Sequence, residues 1–219
     1  MCNVQVLLLF PRCDKQSNSH SNIPDAPCTI GRGYSLTYLE RSNNNRNDPK
    51  TEYGGESMAS KVVSAADAAS QVRDGAVISI SSSSALGCPD LVLKAIGARF
   101  RASGHPRAVT AISPIAAGDM YGVKGIDHLA QDGLLARIIA GSYPSGPSGL
   151  PMPDIWRLIV DNRVEAYNVP SGILFDMHRD VAARRPGVLT KVGLETFVDP
   201  IREGCAMNAA AVAKPIVAR

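Results

Sequence analysis

Four consecutive serines and a nearby glycine form the part of this sequence best suited to chemistry. Their small side chains let a ligand approach the main chain, and backbone N–H and hydroxyl groups can bind an anion or a developing oxyanion. We therefore expect this serine loop to bind substrate. The predicted substrate-binding residues are Ser81, Ser82, Ser83, Ser84 and Gly87.

The flanking residues predict that the serine loop connects a buried strand to a helix. Residues 76–80 are mostly apolar and follow an Asp-Gly pair, which favours a strand. Pro89 suits the first turn of a helix over residues 91–101. The loop would then lie at the carboxyl end of a strand, where α/β proteins bind ligands. The alternative is a serine-rich linker.

Strand and helix patterns alternate along the rest of the chain, which predicts an α/β fold: an open, mostly parallel sheet with helices on both faces. The loops over 81–86, 113–119 and 141–151 would meet at one edge of that sheet and form a pocket. The predicted strands are 76–80, 108–112, 135–140 and 164–168, and the predicted helices are 65–72, 91–101, 125–131, 153–161 and 170–184.

Residues around the serine loop resemble the first signature of the family I coenzyme A transferases. That signature contains Asp-Gly, an aliphatic triplet, Gly-Gly-Phe and Gly-x-Pro. Asp74-Gly75 and Gly87-Cys88-Pro89 match it at the same spacing. Ser79 interrupts the aliphatic triplet, and residues 81–83 are serines where Gly-Gly-Phe is usual.

A second stretch is similar to the N-terminal half of acetate, propionate and 3-oxoacid coenzyme A transferases. Residues 165–174, 185–190 and 196–200 resemble segments in which a Tyr-Asn-Pro-x-Gly turn and a Gly-x-x-Thr-Phe-Val-Asp-Pro loop recur. The sequence departs from the pattern at Glu195, where a glycine is common, and at Ser142-Tyr143, where a His-Trp pair is common. The resemblance therefore implies a coenzyme A transferase-like half without defining its acyl specificity.

The resemblance implies ping-pong transfer through a glutamate carboxylate, with coenzyme A as a substrate and no cofactor. The nucleophile of the family belongs to a Glu-x-Gly motif in the second half. Glu52-Tyr53-Gly54 has this tripeptide but lies in a polar segment, and Glu195 falls on a glycine position. We therefore expect no catalytic residue in this chain.

The function implied is that of an α-type half acting on an acyl-CoA and a short-chain carboxylic or 3-oxo acid. A catalytic β-type half would be its partner in an oligomer. Either a separate subunit carries the glutamate or a longer chain is cut after Asn208; the second is favoured because residues 58–219 are short for a complete half. One alternative is a non-catalytic assembly or regulatory subunit of the same fold. A sugar-phosphate isomerase of the same broad superfamily would need pocket acids and a phosphate-binding lysine, and the sequence shows no such cluster around Lys94 or Lys124.

The N-terminal segment differs in composition from the rest of the chain. Residues 1–57 contain seven of the ten asparagines. We predict a disordered or non-native extension before a globular domain over 58–219; the alternative is a disordered tail with its own role. The apolar run 4–10 is too short to span a bilayer and is a poor secretory signal, so we expect no membrane association and a cytoplasmic location.

Composition excludes several other classes of function. A net charge of +3 and 5% aromatic residues argue against nucleic-acid binding. Five cysteines without a Cys-x-x-Cys pair predict neither disulfides nor a zinc site, and Cys88 is interpreted as a packing thiol. The histidines are too scattered to form a ligand set, and His178 is interpreted as a helix-surface residue. The pair Arg184-Arg185 fits an exposed helix end.

Overall fold

The computed structural model describes residues 7–10, 62–119, 121–145 and 151–218. Of the predicted extension over 1–57, only Leu7–Phe10 is described, and it forms a strand. Glu52 lies outside the described residues. The disorder of the extension and the domain boundary near Met58 therefore stay predictions.

A five-stranded sheet forms the centre of the molecule. Strand β1 (Leu7–Phe10) pairs antiparallel with β2, and the other four strands are parallel to one another in the order β2-β3-β4-β5. The predicted parallel sheet is confirmed, and each predicted strand agrees with the structure to within one residue at either end. The parallel strands are β2 (Val77–Ile80), β3 (Val109–Ser113), β4 (Leu135–Ala140) and β5 (Glu165–Asn168).

The helices also form close to their predicted positions. Helix α1 begins where the Ser64 hydroxyl accepts a hydrogen bond from the Asp67 N–H (3.1 Å), a capping arrangement. The predicted helix over 125–131 is a short 3₁₀ helix (Gly125–Leu129). The remaining helical bounds are α1 (Ala65–Ser70), α2 (Asp90–Ser103), α3 (Asp154–Val160), α4 (Ser171–Ala182) and α5 (Ala209–Val212).

Strand order explains how the two faces of the sheet are covered. Strands β2 to β5 lie side by side in chain order, so right-handed crossovers place the connecting helices on one face. Helices α1, α2 and α3 and the 3₁₀ helix pack there on a core that includes Ile78, Leu93 and Ile138. The chain after β5 covers the other face, where Tyr167 and Leu174 are buried.

The side chain that interrupts the aliphatic triplet faces the second of these surfaces. Side chains alternate along a strand, so Ser79 points away from the core around Ile78. Its Oγ lies 2.7 Å from His178 Nε2 on α4, and Ser79 is buried. The interpretation of His178 as a helix-surface residue is therefore wrong: the ring is half-buried, and burial lowers its pKa. The hydrogen bond between Ser79 and His178 therefore stands where an aliphatic residue of the triplet would make an apolar contact.

The described residues hold two buried cysteines and no span long and apolar enough to cross a bilayer. Cys88 packs in the core under α2, as predicted, and burial raises the pKa of its thiol to about 12. At the end of α4, Arg185 pairs with Asp180 at 3.0 Å. Both arginines of the predicted helix end are exposed.

Candidate functional site

The fixed positions of the first signature have structural roles. Asp74 accepts hydrogen bonds from His105 Nδ1 and from the Arg107 N–H, each at 2.8 Å, and the bond to His105 is the main cause of its lowered pKa. These contacts hold the connection from α2 to β3. Gly75 and Gly87 have φ angles of 70° and 69°, in the left-handed region that glycine adopts without strain.

The three predicted loops do converge at the carboxyl ends of the parallel strands. The Ser84 N–H donates to the Ala116 carbonyl (2.9 Å), and the Gly118 N–H donates to the Ser84 carbonyl (3.0 Å). The Ser142 hydroxyl, from the third loop, accepts from the Ala116 N–H at 2.9 Å. The second loop is therefore bonded to both of its neighbours, which fixes the shape of this edge.

These bonds change the expected role of the serine loop. The Ser83 N–H donates to the Leu86 carbonyl (2.9 Å), and the Ser84 N–H is bonded to the second loop. The Ser82 hydroxyl donates to the Ala116 carbonyl at 3.0 Å. The expectation that backbone N–H groups of this loop face an anion is thus wrong for Ser83 and Ser84, because both are used within the protein. The Ser82 hydroxyl is also used within the protein, so the loop offers fewer donors to a ligand than its sequence suggests.

A cavity of about 340 Å³ lies between the converged loops. Its volume is within the range of small-molecule sites, and it lies at the edge where α/β sheets bind ligands. Among the predicted binding residues, Ser84 lines it, whereas Ser81, Ser82, Ser83 and Gly87 lie outside the lining. The lining consists of Ser84, Ala116, Gly118, Asp119, Tyr121, Tyr143, Pro144 and Ser145.

Asp119 supplies the carboxylate of the cavity lining. Its Oδ1 accepts N–H bonds from Tyr121 (2.9 Å), Gly122 (3.3 Å) and Val123 (3.1 Å). The bonds from Tyr121 and Val123 are the main causes of its lowered pKa, so the group is ionised at neutral pH. This charge favours ligand groups that donate hydrogen bonds. The same bonds fold the turn that carries the Tyr121 ring.

Tyr143 forms a buried wall of the cavity. Its hydroxyl donates to the Tyr167 carbonyl (2.8 Å), and its ring centre lies 5.5 Å from that of Trp156. The Trp156 indole N–H donates to the Pro144 carbonyl at 2.8 Å. Burial raises the pKa of Tyr143, so the hydroxyl stays neutral. Ser142-Tyr143 therefore gives this wall a tyrosine where the family pattern commonly has a tryptophan. The Tyr143 hydroxyl and the Trp156 N–H are both hydrogen-bonded.

The loop containing Glu195 explains why a glycine is common at that position. Glu195 has a φ of 65°, a left-handed conformation that strains a residue with a side chain. Its N–H donates to Asp199 Oδ2 at 2.9 Å, and its own carboxylate is exposed. Gly193, at φ 88°, leaves no room for a Cβ, which would lie 2.7 Å from a Val198 methyl carbon. Backbone geometry therefore favours glycine at positions 193 and 195.

No glutamate of the described chain lines the cavity. Glu165 begins β5 at the opposite edge of the sheet and pairs with Arg137 (2.6 Å) and with Lys214. Burial opposes ionisation of Glu165, but these two cations prevail and its pKa is lowered. Glu195 and Glu203 are exposed outside the lining. The expected absence of a catalytic residue in this chain stays a prediction.

Asp119, Tyr121 and Tyr143 shape the cavity but were not among the predicted binding residues. The predicted pocket loops 113–119 and 141–151 did include Asp119 and Tyr143, whereas Tyr121 lay outside them. The Tyr121-Gly122 pair is a turn signal that could have located Tyr121. The role of Tyr143 as a wall depends on Tyr167 and Trp156, which are distant in sequence.

Comparison with known proteins agrees with this architecture. The chain is 34% identical over 148 residues to the caffeate CoA-transferase of Acetobacterium woodii, covering 68% of this chain and 27% of that protein. It is 33% identical over 117 residues to the acetate CoA-transferase YdiF of Escherichia coli K12, covering 53% of this chain and 21% of that protein. The chain thus spans about a quarter of the length of these relatives.

Solved structures show the same similarity. The crystal structure of the acyl-CoA transferase YdiF from Escherichia coli O157:H7, as a thioester complex with CoA, superposes with a TM-score of 0.57 at 30% identity. It covers 68% of this chain and 28% of the YdiF chain, as does the apoenzyme structure. Residues 62–214 match the family model of the coenzyme A transferases. This match covers most of the chain, and the sheet and the loop-lined cavity agree with it. The chain therefore belongs to the coenzyme A transferase family.

Proposed function

We propose that this chain is the α-type half of a coenzyme A transferase that moves CoA between an acyl-CoA and a short-chain carboxylic or 3-oxo acid. The observation that carries the proposal is an open cavity lined by residues of three strand-end loops, with no glutamate among its described lining residues. A family member with a substrate cavity but no nucleophile beside it needs a catalytic half, either as a subunit or within a longer chain.

The cavity would hold the acyl group while the partner supplies the carboxylate. The glutamate oxygen attacks the thioester carbonyl, and the CoA thiolate leaves to give a mixed anhydride. The thiolate then attacks the glutamyl carbonyl, which releases the first carboxylic acid and leaves a glutamyl thioester. The acceptor acid reverses these steps. Atoms and charges balance without a cofactor, so CoA is a substrate only.

The residues of this chain would position the acyl group and exclude water. The hydroxyls of Ser84 and Ser145 line the cavity and can donate to the thioester oxygen or to the acid. The neutral, buried Tyr143 closes one wall, which limits hydrolysis of the reactive intermediates. Asp119 would disfavour dicarboxylic substrates by like-charge repulsion. The relatives are named for caffeate and acetate, two very different acids, so their names do not define the acyl group here.

The first experiment measures CoA transfer by the purified chain with acetyl-CoA and short-chain acids. We expect no turnover, because the nucleophile is supplied by the catalytic half. Turnover by this chain without a partner would refute the assignment as an α-type half. The oligomer and the cytoplasmic location remain predictions that accompany this proposal.

The second experiment separates a substrate-binding half from a non-catalytic assembly or regulatory subunit. A substrate-binding half should be stabilised thermally by CoA and by acetyl-CoA, because a ligand that binds only the folded state raises the melting temperature. Ser145→Trp, which places a large ring at the cavity, should abolish the shift caused by acetyl-CoA. Ser70→Trp on the exposed side of α1 is the matched control and should keep it. No shift with the wild-type chain favours the assembly subunit.

A further inference from the structure

The loop after α4 is folded tightly although it has no regular secondary structure. Asp199, 1% exposed, accepts hydrogen bonds from the N–H groups of Glu195 (2.9 Å) and Ile201 (3.1 Å). Val198 and Cys205 are buried in the core beneath it. The contacts that fix this loop therefore face inward. We name residues 189–204 the carboxyl-edge loop.

Five large apolar side chains of the carboxyl-edge loop nevertheless face solvent. A loop fixed by a buried carboxylate cannot turn these side chains inward without breaking its own bonds. Several large apolar residues exposed within one ordered loop are a signal for an interaction site. The exposed fractions are 103% for Leu189, 59% for Val192, 44% for Leu194, 46% for Phe197 and 68% for Ile201.

The position of the loop follows from its pairing with β5. The Asn168 N–H, at the end of β5, donates to the Cys205 carbonyl at 2.9 Å, and Ala206 pairs antiparallel with Tyr167. Residues that precede Cys205 therefore lie beyond the carboxyl end of β5. The cavity lies at this same edge of the sheet. The exposed apolar surface and the candidate site are thus on one side of the molecule.

We propose that the apolar surface of the carboxyl-edge loop is where the catalytic half of the transferase docks. This inference rests on the proposed function. A carboxylate that attacks a thioester must approach within about 3–3.5 Å of the carbonyl carbon, so its carrier must contact the edge that holds the cavity.

Two further observations identify the occupant. The chain covers only 27% of the caffeate CoA-transferase and 28% of the YdiF chain, so most of each relative has no counterpart here. The apolar side chains are interspersed with the exposed charged residues Lys191, Glu195, Arg202 and Glu203. A surface that exposes both apolar and charged side chains is compatible with a protein interface.

The test measures binding between the full chain and a stated probe: Escherichia coli YdiF from which the segment matched by this chain has been removed. Sedimentation velocity and a titration would give stoichiometry and affinity. We expect a one-to-one complex that is weakened at least tenfold by the triple substitution Leu194→Ser, Phe197→Ser and Ile201→Ser. Val160→Ser is the matched control: Val160 is 67% exposed, close to the 68% of Ile201, but lies at the end of α3. It should leave the affinity unchanged.

Three results would overturn the proposal. They are equal binding by the wild-type chain and the triple variant, no complex with the wild-type chain, and a homodimer that the triple substitution disrupts, which would assign the surface to a second copy. Thermal unfolding of each variant alone verifies that the exposed substitutions leave the fold intact. The binding assay contains no acyl-CoA and is therefore independent of turnover. A complex that forms but transfers no CoA once acetyl-CoA and a short-chain acid are added would refute the proposed function and leave the docking surface standing.

Discussion

Replacing Glu195 by glycine should stabilise the protein, although it removes a side chain. Glu195 has a φ of 65°, and the left-handed conformation costs a residue with a Cβ roughly 1–2 kcal/mol. Glycine avoids this strain but loses more chain entropy on folding, a cost of roughly 0.5–1 kcal/mol. The Glu195 N–H bond to Asp199 is a backbone bond and survives the change. The net gain should be about 0.5–1 kcal/mol in the free energy of unfolding.

Urea unfolding of the full-length variant measures this gain, and thermal unfolding should show a rise of about 1–4 °C for a chain of this size. Glu203→Gly is the matched control, since Glu203 lies in the same loop, is exposed and has no left-handed backbone. That substitution should destabilise by roughly 0.5–1 kcal/mol. Glu195→Ala removes the carboxylate but keeps the strain, so it should give no gain. Equal effects of Glu195→Gly and Glu195→Ala would refute the argument from backbone strain.

Three further predictions concern side chains that make part-buried hydrogen bonds. Asn208→Ala should destabilise the protein by about 2–3 kcal/mol in urea unfolding, because Nδ2 donates to the carbonyls of Ile159 (2.9 Å) and Val164 (2.8 Å) and the side chain also caps α5. The pKa of His178 is lowered in the folded state by burial, so the unfolded state binds its proton more readily and stability should fall as the pH drops below about 6.5. Ser79→Ala, which removes its hydrogen-bond partner, should lower stability at pH 8 by about 1 kcal/mol.

Matched control variants test whether each change in stability arises from the named side chain. Gln71→Ala, at an exposed amide whose Nε2 donates one hydrogen bond of 3.3 Å to the Ser70 hydroxyl, should cost far less than Asn208→Ala. His178→Gln should flatten the dependence of unfolding free energy on pH between about 5 and 6.5. An unchanged slope in that variant would show that another group titrates there and that His178 is not the cause.

Much of the fold was predictable because its signals are local. The capping pair Ser64 and Asp67, the apolar strand runs and the proline before α2 each depend on residues within a few positions of one another. Alternation of strands and helices then restricts the topology, because right-handed crossovers leave few arrangements of a parallel sheet. The convergence of three loops at one edge follows from that topology and was predicted correctly.

The details of the candidate site depended on partners far apart in sequence. Ser84 was predicted as a binding residue and lines the cavity, but its N–H is used by Ala116. His178 was assigned to the helix surface because only packing brings it within 2.7 Å of Ser79, a residue 99 positions away. A sequence pattern indicates which face of an element is apolar. It does not indicate which polar group from another element will lie opposite.

The sequence by itself determined the α/β architecture, the resemblance to the coenzyme A transferases and the serine loop at a strand end, because local propensity and motif spacing carry these properties. Only the tertiary structure decided which atoms of that loop remain available, which residues wall the cavity and why glycine suits position 195. The available loop atoms and the cavity walls depend on which donors and acceptors pair in three dimensions. The preference for glycine at position 195 depends on one backbone φ angle. The exposure of five apolar side chains in the carboxyl-edge loop likewise depends on the tertiary structure, because the contacts that fix this loop face inward.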